Sequence, residues 1–191
     1  MVVSREYDLV TLVTRAQAGD VAAFDTVFEH FADPMYRYVY AHCGDAHLAE
    51  DLTGDLWVKV VEHLPTFRFR HTPSDVVFRA WLYRIARNLI TDFYRRSGHQ
   101  SIPLIETTPS SDISLDDHVI QDEARQHVHE SMKHLTVDQR EVIFLRFIEE
   151  RSIAEVVALI GRSEGAVKLL QYRGLDALAR VFGVQRRRKR S

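Results

Sequence analysis

Ser152-Ile153-Ala154-Glu155-Val156-Val157-Ala158-Leu159-Ile160-Gly161-Arg162-Ser163-Glu164-Gly165-Ala166-Val167-Lys168-Leu169-Leu170-Gln171-Tyr172-Arg173 is the stretch whose reading decides the fold. Ser152 and Glu155 have capping-box spacing, in which the hydroxyl accepts from an early backbone N–H and the carboxylate reaches back to the cap. Gly161 supplies the left-handed residue that closes a short helix from Ser152 to Ile160. Ser163 can then cap a second helix running to about Val181. Ile153, Val156, Val157 and Ile160 face Val167, Leu170 and Leu178, so the pattern predicts a helix-turn-helix. Such a unit offers its second helix to the major groove. Glu164, Lys168, Gln171, Tyr172 and Arg173 are left pointing outward, where Lys, Gln and Arg hydrogen-bond base edges or phosphates. A plain helical hairpin with a solvated face carries the same caps, and the motif alone leaves that alternative open.

Outward from this motif the helical signal continues. Thr136 and Gln139 form a second capping box, and apolar residues recur at three- and four-residue steps almost everywhere, which predicts an all-α protein. Gly19-Asp20 ends a first helix and caps a second that carries Phe24, Val27, Phe28 and Phe31 on one face. Pro34 suits the first turn of a third helix, Met35 to Cys43. A fourth runs from about His47 until Pro65 stops it. A fifth covers Asp75 to Arg96, with Phe78, Trp81, Leu82, Ile85, Leu89 and Phe93 as its apolar stripe. Ser97 to Asp117 holds Pro103, Pro109, Ser110, Ser111 and several acids without periodicity, and reads as a flexible linker. Two small helical domains are therefore expected, at about 1–96 and 120–184, joined by an acidic linker over 97–119 and followed by a basic tail over 185–191.

The formal net charge of −2 argues against a nucleic-acid partner only as an average. Between Ser97 and Ala124 there is no Lys or Arg, whereas Phe67 to Arg96 holds seven Arg and Arg186 to Arg190 is wholly basic. Phosphate binding depends on such local density. Cys43 is the sole cysteine, which rules out an intramolecular disulfide or a multi-cysteine zinc site and fits a reducing cytoplasm. No apolar run approaches the roughly 20 residues of a membrane helix, and Met1 to Tyr7 lacks a signal-peptide core, so a soluble cytoplasmic protein without membrane insertion is expected. The histidine and acid groupings, His42 with His47, Glu50 and Asp51 or His127 with His129, have no repeated ligand spacing. With no nucleophile-base pair and no phosphate loop, neither catalytic residue, metal nor cofactor is expected.

Two further constellations point to binding. On the fifth helix Arg79, Tyr83, Arg87, Thr91 and Arg95 fall at four-residue steps, a polar and basic stripe opposite Trp81. Arginines beside aromatics suit capture of an unpaired strand, by stacking a base while neutralising its phosphate, although Phe78 and Trp81 are expected in the core. On the fourth helix Asp51 and Asp55 repel across one turn, and Gly54 weakens the helix interior by about 1 kcal/mol. A helix carrying both penalties is either shaped for a partner or a solvated face with Asp55 paired to Lys59.

His47 to Leu52, Trp57 to Val60, Phe78 to Asn88, and Asp92 with Arg95-Arg96 resemble region 2 of extracytoplasmic-function sigma factors. Leu135, Arg140 to Val142, Leu145-Arg146, Ser152 to Val156, Gly161 to Gly165 and Val167-Lys168 resemble region 4 of the same family. The resemblance implies a non-enzymatic factor that binds core RNA polymerase and recognises the minus-10 and minus-35 promoter elements. It implies contact with the beta-prime coiled coil by Asp51, Leu52, Asp55, Leu56 and Lys59, and with minus-10 DNA by Phe67, Arg84, Arg87, Asn88 and Arg95. It further implies minus-35 contacts by Arg146, Ser163, Glu164, Lys168, Tyr172 and Arg173, docking on the beta flap, and an anti-sigma partner. Gly54-Asp55 stands where the family often has Gln-Glu, and Leu169-Leu170 where many members are polar or basic. The alternative is a stand-alone helix-turn-helix regulator, which would act without core polymerase.

Overall fold

The computed structural model describes residues 8–69, 74–96, 131–132 and 134–183, and among them there is no strand. Asp8 caps α1, Leu9–Gln17. Asp20 caps α2, Val21–Cys43, its carboxylate accepting from the Ala23 N–H, and Gly44 closes the helix at a φ of 72°. Asp45 caps α3, Ala46–His63, which passes into the single 3-10 turn Leu64–Thr66 around Pro65. The helix α4 spans Asp75–Arg96. In the C-terminal part follow α5, Val137–Ile143, a five-residue π turn over Phe144–Ile148, α6, Ile153–Ile160, and α7, Glu164–Val181. The expected linker over Ser97 to Asp117 and the basic tail lie outside the described residues.

Local chemistry sets these boundaries. Both capping boxes form, Thr136 with Gln139 and Ser152 with Glu155. Gly161 takes a φ of 68° to end α6, and the Ser163 hydroxyl accepts from the Ala166 N–H to begin α7. One boundary differs from expectation: Pro34 lies inside a continuous 23-residue α2 rather than opening a new helix. An interior proline costs about 3 kcal/mol. Phe31, Met35, Tyr38 and Val39, on both sides of it, are buried, and each such side chain returns roughly 1.5–3 kcal/mol, so burial outweighs the break.

The N-terminal bundle packs α1 on α2, α2 on α3 and α3 on α4, while α5 and α6 both pack on α7. Val13, Val27, Phe31, Met35, Leu56, Phe78 and Leu82 are fully enclosed in the first group, and Val142, Phe144, Leu145, Val156 and Val167 in the second. The two groups also meet: α6 lies against α4, and α5 touches α2. At that junction the Tyr38 ring stands edge-on to Tyr83 at 4.9 Å and to Phe144 at 5.5 Å. Edge-to-face aromatic packing of this kind adds to simple area burial.

Candidate functional site

Three surfaces carry the residues singled out by sequence. On α3, Asp51, Asp55 and Lys59 are exposed as expected. Leu52 and Leu56 are not: at 5% and 0% exposure they belong to the bundle core, because they fall on the α3 stripe that meets α2 and α4. The apolar groups α3 does present are Val58 and Val61, more than half exposed. With Phe24, Phe28, Gly54, Trp57 and Glu62 they line a groove of about 380 Å³. Phe28 packs on Trp57 at 4.7 Å, and the Trp57 Nε1–H is buried without an acceptor. A Cβ on Gly54 would meet nothing within 4 Å, so packing within the chain does not require glycine there. Val58 and Val61 fall off the stripe of Leu52, Leu56 and Val60, and that misfit is the sequence signal that could have located the groove.

The second surface is α4, and it divides. Arg84, Asn88 and Arg95 face solvent, Arg95 beside Asp92 at 3.0 Å. Phe67, expected to stack a base, is only 8% exposed and packs on Phe69, Phe78 and Trp81 with centroids 4.8–5.5 Å away. It is a core residue, because the 3-10 turn directs it back into the bundle. The stripe of Arg79, Tyr83 and Arg87, expected to face DNA, instead lies beneath the C-terminal helices: Tyr83 is 3% exposed, and Arg87 donates to Asp138 at 3.0 Å and to Glu141. The acids that neutralise Arg87 stand on α5, some fifty residues away, beyond the reach of any periodicity argument.

Around that contact the polar groups are mostly satisfied. The Tyr38 hydroxyl donates to Glu141 at 3.2 Å, and Arg37 pairs with Glu149 at 3.1 Å. Burial raises the Glu141 carboxyl above its ordinary range and outweighs the pull of Arg87 in the other direction. The Arg140 guanidinium, 4% exposed, donates to the carbonyls of Met132 at 3.0 Å, Leu135 at 3.4 Å and His42 at 2.8 Å. His42 uses Nδ1 toward the Tyr38 carbonyl at 2.7 Å, which makes Nδ1 the protonated nitrogen and leaves the buried Nε2 as an acceptor with no partner. Burial, helped by the charges of Arg140 and Arg87, lowers the His42 pKa to about 3.

The third surface is the outer side of α7. Glu164 and Lys168 pair at 2.6 Å, which lowers the Glu164 pKa. Tyr172 and Arg173 stand in solvent. Gln171, expected to point outward, is half-buried and accepts from Arg146 Nε at 3.1 Å. Arg146 also donates to the Arg151 carbonyl, so it braces the π turn against α7. Gly174 permits the α5 crossing, since a Cβ there would stand 2.8 Å from Ile143 Cγ1. Leu169, 48% exposed between Lys168 and Arg173, was not singled out as a contact. Among the described residues no three His, Cys, Asp or Glu side chains converge as a metal site would require, and no helix is long and apolar enough to cross a membrane.

Comparison with known proteins matches residues 27–100 to the family described as Sigma-70 region 2 and residues 125–178 to Sigma-70, region 4. The chain is similar to the ECF RNA polymerase sigma factor BldN of Streptomyces coelicolor, 33% identical over 177 residues, covering 91% of this chain and 66% of BldN. It is 30% identical to the ECF RNA polymerase sigma factor SigD of Mycobacterium tuberculosis, over 89% of this chain and 82% of SigD. Its fold is similar to that of the sigma factor RpoE from Bartonella quintana, solved with the anti-sigma factor NepR. The TM-score is 0.63 at 21% identity, over 85% of this chain and 98% of that one.

Proposed function

The chain belongs to the extracytoplasmic-function sigma factors of the sigma-70 family, and from that premise we propose that it docks on core RNA polymerase through α3 and directs initiation by reading two promoter elements. The observation that carries this reading is the pairing of an open apolar groove, Phe24, Phe28, Trp57, Val58 and Val61, with the exposed charges Asp51, Asp55 and Lys59 on the same helix. Apolar anchors in a desolvated pocket supply affinity, and flanking charges fix register. Leu52 and Leu56 support that face from inside.

The two DNA-facing sets then take complementary parts. Arg84, Asn88 and Arg95 on α4 meet the minus-10 element, joined by Arg87 once it leaves Asp138 and Glu141. Ser163, which caps α7, and Glu164, Lys168, Tyr172 and Arg173 on it meet the minus-35 element, with Arg146 bracing the helix. Phosphate contacts position the protein and base contacts specify the sequence. In the closed form Arg87 is already neutralised, so the free chain is a poor ligand for promoter DNA until polymerase separates the two helical groups. The domain division, about 1–96 and 120–184, is the hinge of this reading. An anti-sigma factor of the kind that NepR is for RpoE would act by keeping the groups together.

Run-off transcription with purified core enzyme on a promoter pool tests the assignment. The chain should start transcripts at discrete sites, and DNA binding by the chain alone should be weak. Tight promoter binding without core enzyme, and no initiation with it, would instead identify a stand-alone helix-turn-helix regulator.

A further inference from the structure

We infer that Leu169 is a specificity-determining residue of α7, reading the 5-methyl group of a thymine in the major groove; the inference rests on the sigma-factor reading of that helix. Gly165, Leu169 and Tyr172 are spaced i, i+4 and i+7, which places them on one line along the helix. All three are exposed, with Lys168 and Arg173 exposed beside them, whereas Val167 and Gly174 turn inward to the helices behind. The half-buried Leu170 supplies packing against the core, so the fold does not call on its neighbour Leu169. Leu169 is 48% exposed with Lys168 and Arg173 exposed beside it, so covering it with an apolar group of a bound partner would be favourable.

The partner is chosen by the groove's chemistry. The four bases present donors and acceptors there, and thymine alone adds a methyl group. Leucine can make no hydrogen bond, so its discrimination must come from that methyl, while Lys168 and Arg173 reach phosphates and set the register. Gly165 points the same way. A Cβ at this position would meet nothing within 4 Å, so packing within the chain gives no reason for a residue that weakens a helix. Its absent side chain lets the first turn of α7 approach the DNA closely.

The test uses the full chain with core enzyme on a randomised minus-35 library, amplified once with thymidine and once with deoxyuridine triphosphate, which removes every 5-methyl group without altering base pairing. The wild-type chain should enrich thymine at one position in the first library and lose roughly three- to fivefold of that preference in the second, the worth of burying one methyl group. Leu169→Ala should select the two libraries alike, and Leu169→Ser should do the same, while Lys168→Ala should weaken binding to both libraries equally. Initiation by the wild type with no difference between libraries would overturn the inference and leave the sigma assignment standing. A Leu169→Ala chain that binds core enzyme less well but keeps its methyl preference would place this side chain against protein and also overturn it. Failure of the wild type to initiate at all would remove the assignment, and the inference with it.

Discussion

The helices α3 and α4 are neighbours in one bundle, both long, both amphipathic, and both charged on the side away from their own core, yet their outward sides meet different fates. On α3 the acids Asp51 and Asp55 and the valines Val58 and Val61 remain open. On α4 the stripe Arg79, Tyr83, Arg87 is covered by α5 and α6, and Arg87 is held by Asp138 and Glu141. The difference teaches that the chain leaves one charged helix side open and neutralises part of the other within itself. On the function proposed above, docking on polymerase through α3 would then precede opening, and opening would expose the Arg87 cation to promoter phosphate.

The strongest way to break this contrast is to remove the buried brace. Arg140, buried at 4% exposure, donates to three carbonyls on both sides of the contact, so Arg140→Ala should lower stability by roughly 3–5 kcal/mol in urea denaturation. A loss under 1 kcal/mol would mean that the contact between the helical groups is loosely made. Next in size is the open side of α3. Val58→Asp leaves the fold intact, because the residue is 57% exposed, but should cut association with core enzyme on the order of tenfold or more by burying a charge in the groove. Unchanged association in a pull-down titration would move the docking surface elsewhere.

The pH response sharpens the comparison from the covered side. The His42 pKa is depressed from 6.5 to about 3 in the fold, so the unfolded chain binds the extra proton between those values. Stability is therefore complete above about pH 6.5 and falls as pH drops toward 3, by a few kcal/mol in all. Glu141, whose pKa is raised from 4.5, works in the opposite sense: between that value and its raised one the fold keeps a proton that the unfolded chain has released, so the stability gained there as pH falls offsets part of the loss. Denaturation midpoints from pH 8 to pH 4 should fall first, between pH 6.5 and 5, and His42→Gln should flatten that slope. The smallest effect belongs to Gly54. With open space around it, Gly54→Ala should raise stability by up to about 1 kcal/mol while weakening association with core enzyme, because the new methyl projects into the groove.

The same two helices show what the sequence made legible. Caps, glycine stops and apolar spacing fixed the ends of α4, α6 and α7 to within a residue, since each signal is local. Pro34 was misread because the burial of Phe31, Met35 and Tyr38 that carries α2 through it is tertiary. The charges of the candidate site could be identified on their helices, and Asp51, Asp55, Asn88, Lys168 and Arg173 are exposed as expected. What they face could not: Arg87 meets carboxylates fifty residues away, Gln171 turns in to Arg146, and Phe67 is folded into the bundle by a 3-10 turn. Leu52 and Leu56 lie inside because a family motif marks core and contact positions alike.

The central claim is that the two helical groups are closed in the free chain and separated by polymerase. Pulsed electron-spin distance measurement between labels at Asp25 on α2 and Arg180 on α7, both exposed, with the buried Cys43 left unlabelled, addresses it directly. The free chain should give one narrow distribution, and saturating core enzyme should replace it with a longer one. The same distance in the polymerase-bound state, or a broad spread in the free chain, would contradict the account.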